Sequence, residues 1–216
     1  MFTIEKIDEL LKKYNGNYSL IFPLIKDKFM DEIAKNPLSG LHEGEEYFFY
    51  EFAFFEVEYM NIKKDILING YNNTIVDIGC QFGLQSEIFL DNNYIGIECM
   101  EKVFLNKKYP NINYIRGLFP NDIDIDLKDK IVISNMSLGY FNNLFKKEKG
   151  NIIKERTISD TDMLIIKALS KAKILYYNGY PHITEELKKY FKNCEKIGDN
   201  KDSVAFVSSG LYKFYN

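Results

Sequence analysis

From Asn73 onward the sequence alternates short β-branched runs with helical stretches, and no other feature narrows the possible folds as far. The runs are "TIVDIG", "YIGIE", "INYIRG", "DKIVISNM" and "AKILYYNGY". They are separated or followed by candidate helices at Leu84 to Asp91, Glu101 to Lys107, Asp160 to Lys171 and Thr184 to Phe191. Strand alternating with helix implies a parallel sheet covered on both faces. The rhythm breaks in "NCEKIGDNKDSVAFVSSGLYKFY", where two β-rich runs joined by a polar turn predict an antiparallel hairpin at the sheet edge.

Residues 1–70 follow a helical period instead. Thr3 to Tyr14, Phe22 to Lys35 and "EEYFFYEFAFFEVEYMNIKKDIL" space their apolar residues for helices, punctuated by Gly16 and Pro37. At 216 residues the chain can bury one substantial core and is short for two full domains. The expected organisation is therefore a helical N-terminal cap over 1–70 and one α/β domain over 71–216, whose seven-stranded, mostly parallel sheet finishes in the hairpin.

Charge and cysteine usage exclude several functions. The formal charge is −3, and Arg116 and Arg156 are the only arginines, so there is neither a basic phosphate-binding face nor a set of bidentate base readers. Nucleic acid is disfavoured as a partner. Cys80, Cys99 and Cys194 form no C-x-x-C pair, which argues against a disulfide framework or a thiolate zinc site and suits a reducing, cytoplasmic setting. His42 beside Glu43, Glu45 and Glu46 lacks a second imidazole; acids there complement a helix start, and no metal is expected. "MFTIEKIDELLKK" reads as an amphipathic helix and not as a signal peptide. No apolar run approaches the roughly 20 residues of a membrane span.

The chemistry concentrates in "TIVDIGCQFGLQSEIFL", residues 74–90. Ile75 and Val76 end a strand, Gly79 and Gly83 let the backbone turn and approach a ligand closely, and a helix from Leu84 brings its N-terminal amides to the same space. The spacing is D-x-G-x-x-x-G, with Gln81 where the dinucleotide fingerprint keeps its middle glycine. A carboxylate at Asp77 would repel a pyrophosphate and attract a cationic amino acid moiety. Glu98 follows Gly79 by 19 residues, close to the roughly 20 at which an acid in a βαβ unit reaches ribose hydroxyls. A ribose, a stackable base and a positively charged amino acid end together describe S-adenosylmethionine.

On these residues, "VDIGCQFG" and "GIE" with a sheet that finishes in a hairpin, the chain resembles the class I, Rossmann-like S-adenosylmethionine-dependent methyltransferases over roughly Asn73 to Asn216. The resemblance implies a three-layer sandwich. It also implies that Asp77, Gly79, Cys80 and Gly83, with Gln81 and Phe82 in the same loop, surround the methionine part and that Glu98 holds the ribose. Many members place an aspartate after the third strand for the adenine amino group; here Leu118 and Phe119 occupy that region, so backbone groups and apolar stacking would hold the base, with Asp122 a distant substitute. Asn135, which ends the fourth strand in "ISNMSLGYF", is expected among the cofactor-binding residues, in a crevice formed by the first, second and fourth strand ends; the prolines of exocyclic base-amine methylation do not follow it.

The expected activity is methyl transfer to a small molecule or a protein side chain. In-line positioning supplies most of such a rate, and a base is needed only when the acceptor must lose a proton. His182 and Tyr140 are candidates for that base, although a histidine just before a helix more often caps it. In the aromatic segment Phe48, Phe52, Phe55 and Tyr59 form one stripe, and Phe49, Tyr50 and Phe54 lie off it. Burial against the sheet is the first reading, and an acceptor pocket or a homodimer contact would use the excess. Two rival functions stay open: a non-catalytic S-adenosylmethionine-binding protein with a degenerate site, and a nicotinamide-dependent oxidoreductase.

Overall fold

The structure is a computed structural model describing residues 2–14, 46–80, 83–99, 111–135, 137, 145–148, 151–154, 158–198 and 210–216. The expected helices at Phe22 to Lys35 and Glu101 to Lys107 lie outside these residues. Nine strands are described: β1 (Ile75–Ile78), β2 (Tyr94–Glu98), β3 (Ile112–Arg116), β4 (Ile131–Asn135), β5 (Phe145–Glu148), β6 (Asn151–Lys154), β7 (Ile174–Asn178), β8 (Asn193–Gly198) and β9 (Leu211–Tyr215). The helices are α1 (Ile4–Tyr14), α2 (Glu46–Ile68), α3 (Asp160–Leu169) and α4 (Pro181–Leu187). Leu84–Phe89, expected as an α-helix to Asp91, is a 3-10 helix of six residues.

Seven strands form one sheet in the order β3-β2-β1-β4-β7-β9-β8. β1, β2, β3, β4 and β7 are parallel, and β9 runs antiparallel to both β7 and β8. The expected mostly parallel sheet with a terminal antiparallel hairpin is the one observed. Among the described residues β5 and β6 pair only with each other, as an antiparallel ribbon that falls between β4 and α3 in the sequence. Nothing predicted that ribbon, because "FKKE" and "NIIK" lack the apolar alternation of a half-buried strand.

β1, β4 and β7 are buried at every residue, as a sheet with both faces covered requires. On one face Val76, Val132 and Leu175 pack with Ile166 and Leu169 of α3 and Ile183 and Leu187 of α4. On the other, Ile75, Ile131 and Ile174 pack with Ile7 of α1 and Ile62 and Ile66 of α2. The N-terminal helices therefore share a core with the sheet. Helix starts follow their caps. Ser159 Oγ accepts from Asp162 N at 3.1 Å, a capping box that opens α3 at Asp160. Pro181 at the first turn opens α4 three residues before the expected Thr184.

α2 runs antiparallel to the strands. Its Glu58 lies against Gly198, at the carboxyl-end level of the sheet. Five residues later Lys63, fully buried, reaches Asn92 Oδ1 at 3.1 Å and pairs with Asp91, both just before β2 begins. The twelve residues of α2 before Glu58, rising about 1.5 Å each, run on past the carboxyl ends of the strands. Among the described residues no helix is long and apolar enough to cross a membrane.

Candidate functional site

Four strand ends fall on one level. Ile78 pairs with both Ile97 and Ser134, so the residues that follow, Glu98 and Asn135, stand on either side of Gly79. Asn135 pairs in turn with Asn178. Alternation along the strands puts Glu98, Asn135 and Asn178 on the face of Tyr94, Ile133 and Tyr176, the face covered by α2. Glu98, Asn135 and Asn178 are 4 %, 6 % and 0 % exposed, an unusual run of polar burial at one sheet edge.

The glycines at this edge answer to packing. Gly79 takes φ 76, and a Cβ on it would stand 2.3 Å from Ser137 Cβ. Ser137 is held by a 2.9 Å hydroxyl contact with Ser134 at the end of β4. Gly83 takes φ 68, and a Cβ there would lie 2.4 Å from the Tyr114 ring, whose hydroxyl donates to Gly83 O at 2.9 Å. Gly96, the glycine of "GIE", admits Tyr114 and Cys80 Sγ where a Cβ would meet both at 2.7 Å. A glycine inside a strand is the signal for such an approach. Sequence reasoning used Glu98 from that motif and passed over Gly96 and Tyr114.

Asp77 sits one pleat below the edge, 0 % exposed. Tyr59 of α2 donates to its Oδ1 at 3.2 Å; Tyr94 and Gln85 donate to its Oδ2, the latter at 2.9 Å. The Gln85 amide also donates to Cys80 O at 2.7 Å, tying the carboxylate to the turn. The direct ligand contact expected of Asp77 is thus replaced by support of the turn: protein donors occupy its oxygens, and no surface is left for a ligand. Burial pushes its pKa up to about 6 against the pull of the Tyr94, Gln85 and Tyr59 hydrogen bonds. Burial also raises both tyrosines well above their ordinary value, so they stay protonated donors. None of Tyr59, Gln85 and Tyr94 was singled out for this role from the sequence, although an aromatic run ending at Tyr59 and a strand opening on Tyr94 both offer hydroxyl donors.

The other predicted residues divide. The amides of Gly79 and Cys80 both donate to Ile97 O, at 2.8 and 3.0 Å, and Gly83 N donates to Cys80 O at 2.9 Å. These amides knit the turn internally. Cys80 is fully buried against Gly96, its thiol pushed well up by burial and by Asp77. Phe119, expected as a stacking surface, is 5 % exposed and packs with Ile123 and Leu127 in the core of the opposite face. Leu118 is half-buried, and its amide donates to Asp122 Oδ2 at 2.9 Å, so Asp122 closes the turn after β3. His182 opens α4 with its ring 5.6 Å from that of Tyr180. Gln81, Phe82, Tyr140 and His42 lie outside the described residues. Among the described residues no three His, Cys, Asp or Glu are grouped to hold a metal ion.

Glu58 is a further buried acid on this face. It is 3 % exposed, its Oε2 has no hydrogen-bond partner among the described residues, and burial raises its pKa to about 8 against the pull of Lys196 on β8. The folded chain keeps that proton to a higher pH than the unfolded chain does, so this group lowers stability as pH rises from the ordinary carboxyl range toward 8. Glu58→Gln should leave stability unchanged near pH 4 and raise it at pH 8.5 by up to about 5 kcal/mol, at about 1.4 kcal/mol per pH unit crossed. Urea unfolding of both proteins at the two pH values checks this. Asp77 contributes a parallel loss up to about pH 6 that is common to both proteins.

The fold of this chain recurs in solved structures. Magnesium protoporphyrin IX methyltransferase (ChlM) from Synechocystis PCC 6803, determined with bound S-adenosylmethionine, superposes with a TM-score of 0.52 over 91 % of this chain and 97 % of that one, at 10 % identity. The chain has the class I methyltransferase fold. WbdD, a bifunctional kinase-methyltransferase, matches with a TM-score of 0.50 and 14 % identity over 74 % of this chain. The matched region spans 39 % of the WbdD chain. At these identities the likeness is one of fold. No protein-family model matches the sequence, and no curated protein does. Glu98, Gly79 and Asn135 stand at the carboxyl ends of neighbouring parallel strands, the side on which open α/β sheets generally take ligands.

Proposed function

We propose that the chain binds S-adenosylmethionine along this edge and transfers its methyl group to a small molecule or a protein side chain. The carrying observation is the level row of Glu98, Gly79 and Asn135: a buried acid ending β2, a turn whose positive φ favours glycine, and a buried amide whose Nδ2 has no hydrogen-bond partner among the described residues. The orphaned amide and the acid fit a ligand with hydroxyl donors at one end and an oxygen acceptor at the other. When bound, the sulfonium supplies an electrophilic methyl group. The chain's own residues would hold the ribose at Glu98, keep the turn in shape through Asp77 and Gln85, and bury the edge from water beneath α2. Transfer of this kind depends on orientation, which a rigid edge supplies.

Binding of S-adenosylhomocysteine tests the reading. The wild-type protein should unfold at a higher temperature with the ligand in excess, since a ligand of the native state stabilises it by mass action. Glu98→Ala should weaken binding by about 10- to 100-fold, the worth of hydrogen bonds to a charged group. Protection by a nicotinamide dinucleotide in place of S-adenosylhomocysteine would overturn the proposal.

A further inference from the structure

Asn178 completes the edge, and nothing in the sequence had marked it. It lies on β7, fully buried, and its Nδ2 donates to Asn135 Oδ1 at 2.8 Å. That bond fixes the neighbouring amide. With its oxygen engaged, Asn135 turns its Nδ2, a donor with no hydrogen-bond partner among the described residues and a residue exposure of 6 %, away from Asn178. A buried amide donor left in this condition costs about 1–3 kcal/mol unless something accepts from it.

What accepts follows from position. Asn135 and Glu98 end strands that flank β1, so they stand two strand spacings apart, about 10 Å. A ligand whose ribose lies at Glu98 and whose chain runs along the edge past Gly79 brings its amino acid end to Asn135. In that end the ammonium has no lone pair and the cationic sulfonium is a poor acceptor; the carboxylate accepts strongly. We infer that Asn135 Nδ2, oriented by Asn178, binds the carboxylate of the cofactor's amino acid end. Asn178 is a positioning residue: it touches Asn135 and decides which pole of that amide faces the ligand. The inference rests on the methyltransferase reading above and adds to it a specific recognition of the amino acid moiety.

Two ligands separate the cases: S-adenosylhomocysteine, which carries the carboxylate, and 5′-methylthioadenosine, which lacks the amino acid end. Dissociation constants are measured by calorimetry for wild type, Asn135→Ala and Asn178→Asp. Asn135→Ala removes the donor. In Asn178→Asp the new carboxylate can only accept, so it draws Asn135 Nδ2 to itself and turns Asn135 Oδ1 toward the ligand. Both variants should bind S-adenosylhomocysteine about 10- to 100-fold more weakly and 5′-methylthioadenosine within about 3-fold of wild type. If Asn178→Asp does not fold, as judged by thermal unfolding without ligand, Asn178→Ala takes its place, with the same selectivity expected at about 3- to 10-fold. Equal losses for the two ligands would mark Asn178 and Asn135 as structural and overturn the inference, as would unchanged affinity for S-adenosylhomocysteine. A wild-type protein that binds neither ligand would instead overturn the methyltransferase reading beneath it.

Discussion

Asp77→Ala is expected to cost about 5 kcal/mol of folding stability, enough to leave much of the protein unfolded at ordinary temperature, where small domains keep about 5–15 kcal/mol. The carboxylate receives Tyr59, Tyr94 and Gln85 in a site with no exposure, and its removal leaves two phenol donors and half of a bifurcated amide without acceptors. Each stranded buried donor costs about 1–3 kcal/mol, and the small cavity adds to that. Asp77→Asn keeps the volume and one acceptor, and should cost about 1–2 kcal/mol. Urea denaturation measures both. If Asp77→Ala unfolds with a wild-type midpoint and loses only S-adenosylhomocysteine binding, the carboxylate is a ligand contact after all and its supporting role falls.

The second large effect is expected at Gly79, where function should fail before the fold does. Alanine there meets two obstacles: a left-handed φ of 76, disfavoured by about 1–2 kcal/mol for a residue with a Cβ, and a Cβ only 2.3 Å from Ser137 Cβ. Relief requires the turn and the segment after β4 to move apart, breaking the Ser134–Ser137 contact and displacing the edge where Asn135 stands. A misplacement near 1 Å can cost about 100-fold in a positioned site. Gly79→Ala should therefore bind S-adenosylhomocysteine at least about 100-fold more weakly, with a loss of stability of about 2–3 kcal/mol. Gly70→Ala provides the contrast. Gly70 has a similar φ of 64 with nothing within 4 Å of its would-be Cβ, so only the backbone term remains and binding should be unchanged. Equal losses of affinity in both variants would sever the link between the Gly79 turn and the ligand.

The contrast between these two residues shows how far the sequence could be read. The seven strands of the main sheet were legible as short β-rich runs with their own punctuation, and its mostly parallel pairing follows from the helices between them; the β5–β6 ribbon and the spatial order of the strands were not legible. The turn at Gly79 and the place of Glu98 at the end of β2 were legible because a turn needs glycine and an acid ending a strand is rare. Asp77 was seen but its partners were not: its hydrogen-bond donors come from α2, from the 3-10 helix and from β2, and local periodicity does not say which donor a fold will bring to which carboxylate. Asn178 was invisible for the same reason, since its meaning lies in a partner 43 positions earlier on a neighbouring strand. Phe119 followed hydrophobicity into the core of the opposite face, where burial of an aromatic ring outweighs its use as a stacking surface.

The order of strands has a consequence for how the protein is made. β9, made after both β7 and β8, is seated between them. Until it arrives, β7 presents a bare hydrogen-bonding margin, and β8 has no neighbour to dock on. Nascent chains halted before Leu211 would carry that sticky margin into the crowded cell, a natural substrate for chaperones and a seed for unwanted pairing between copies.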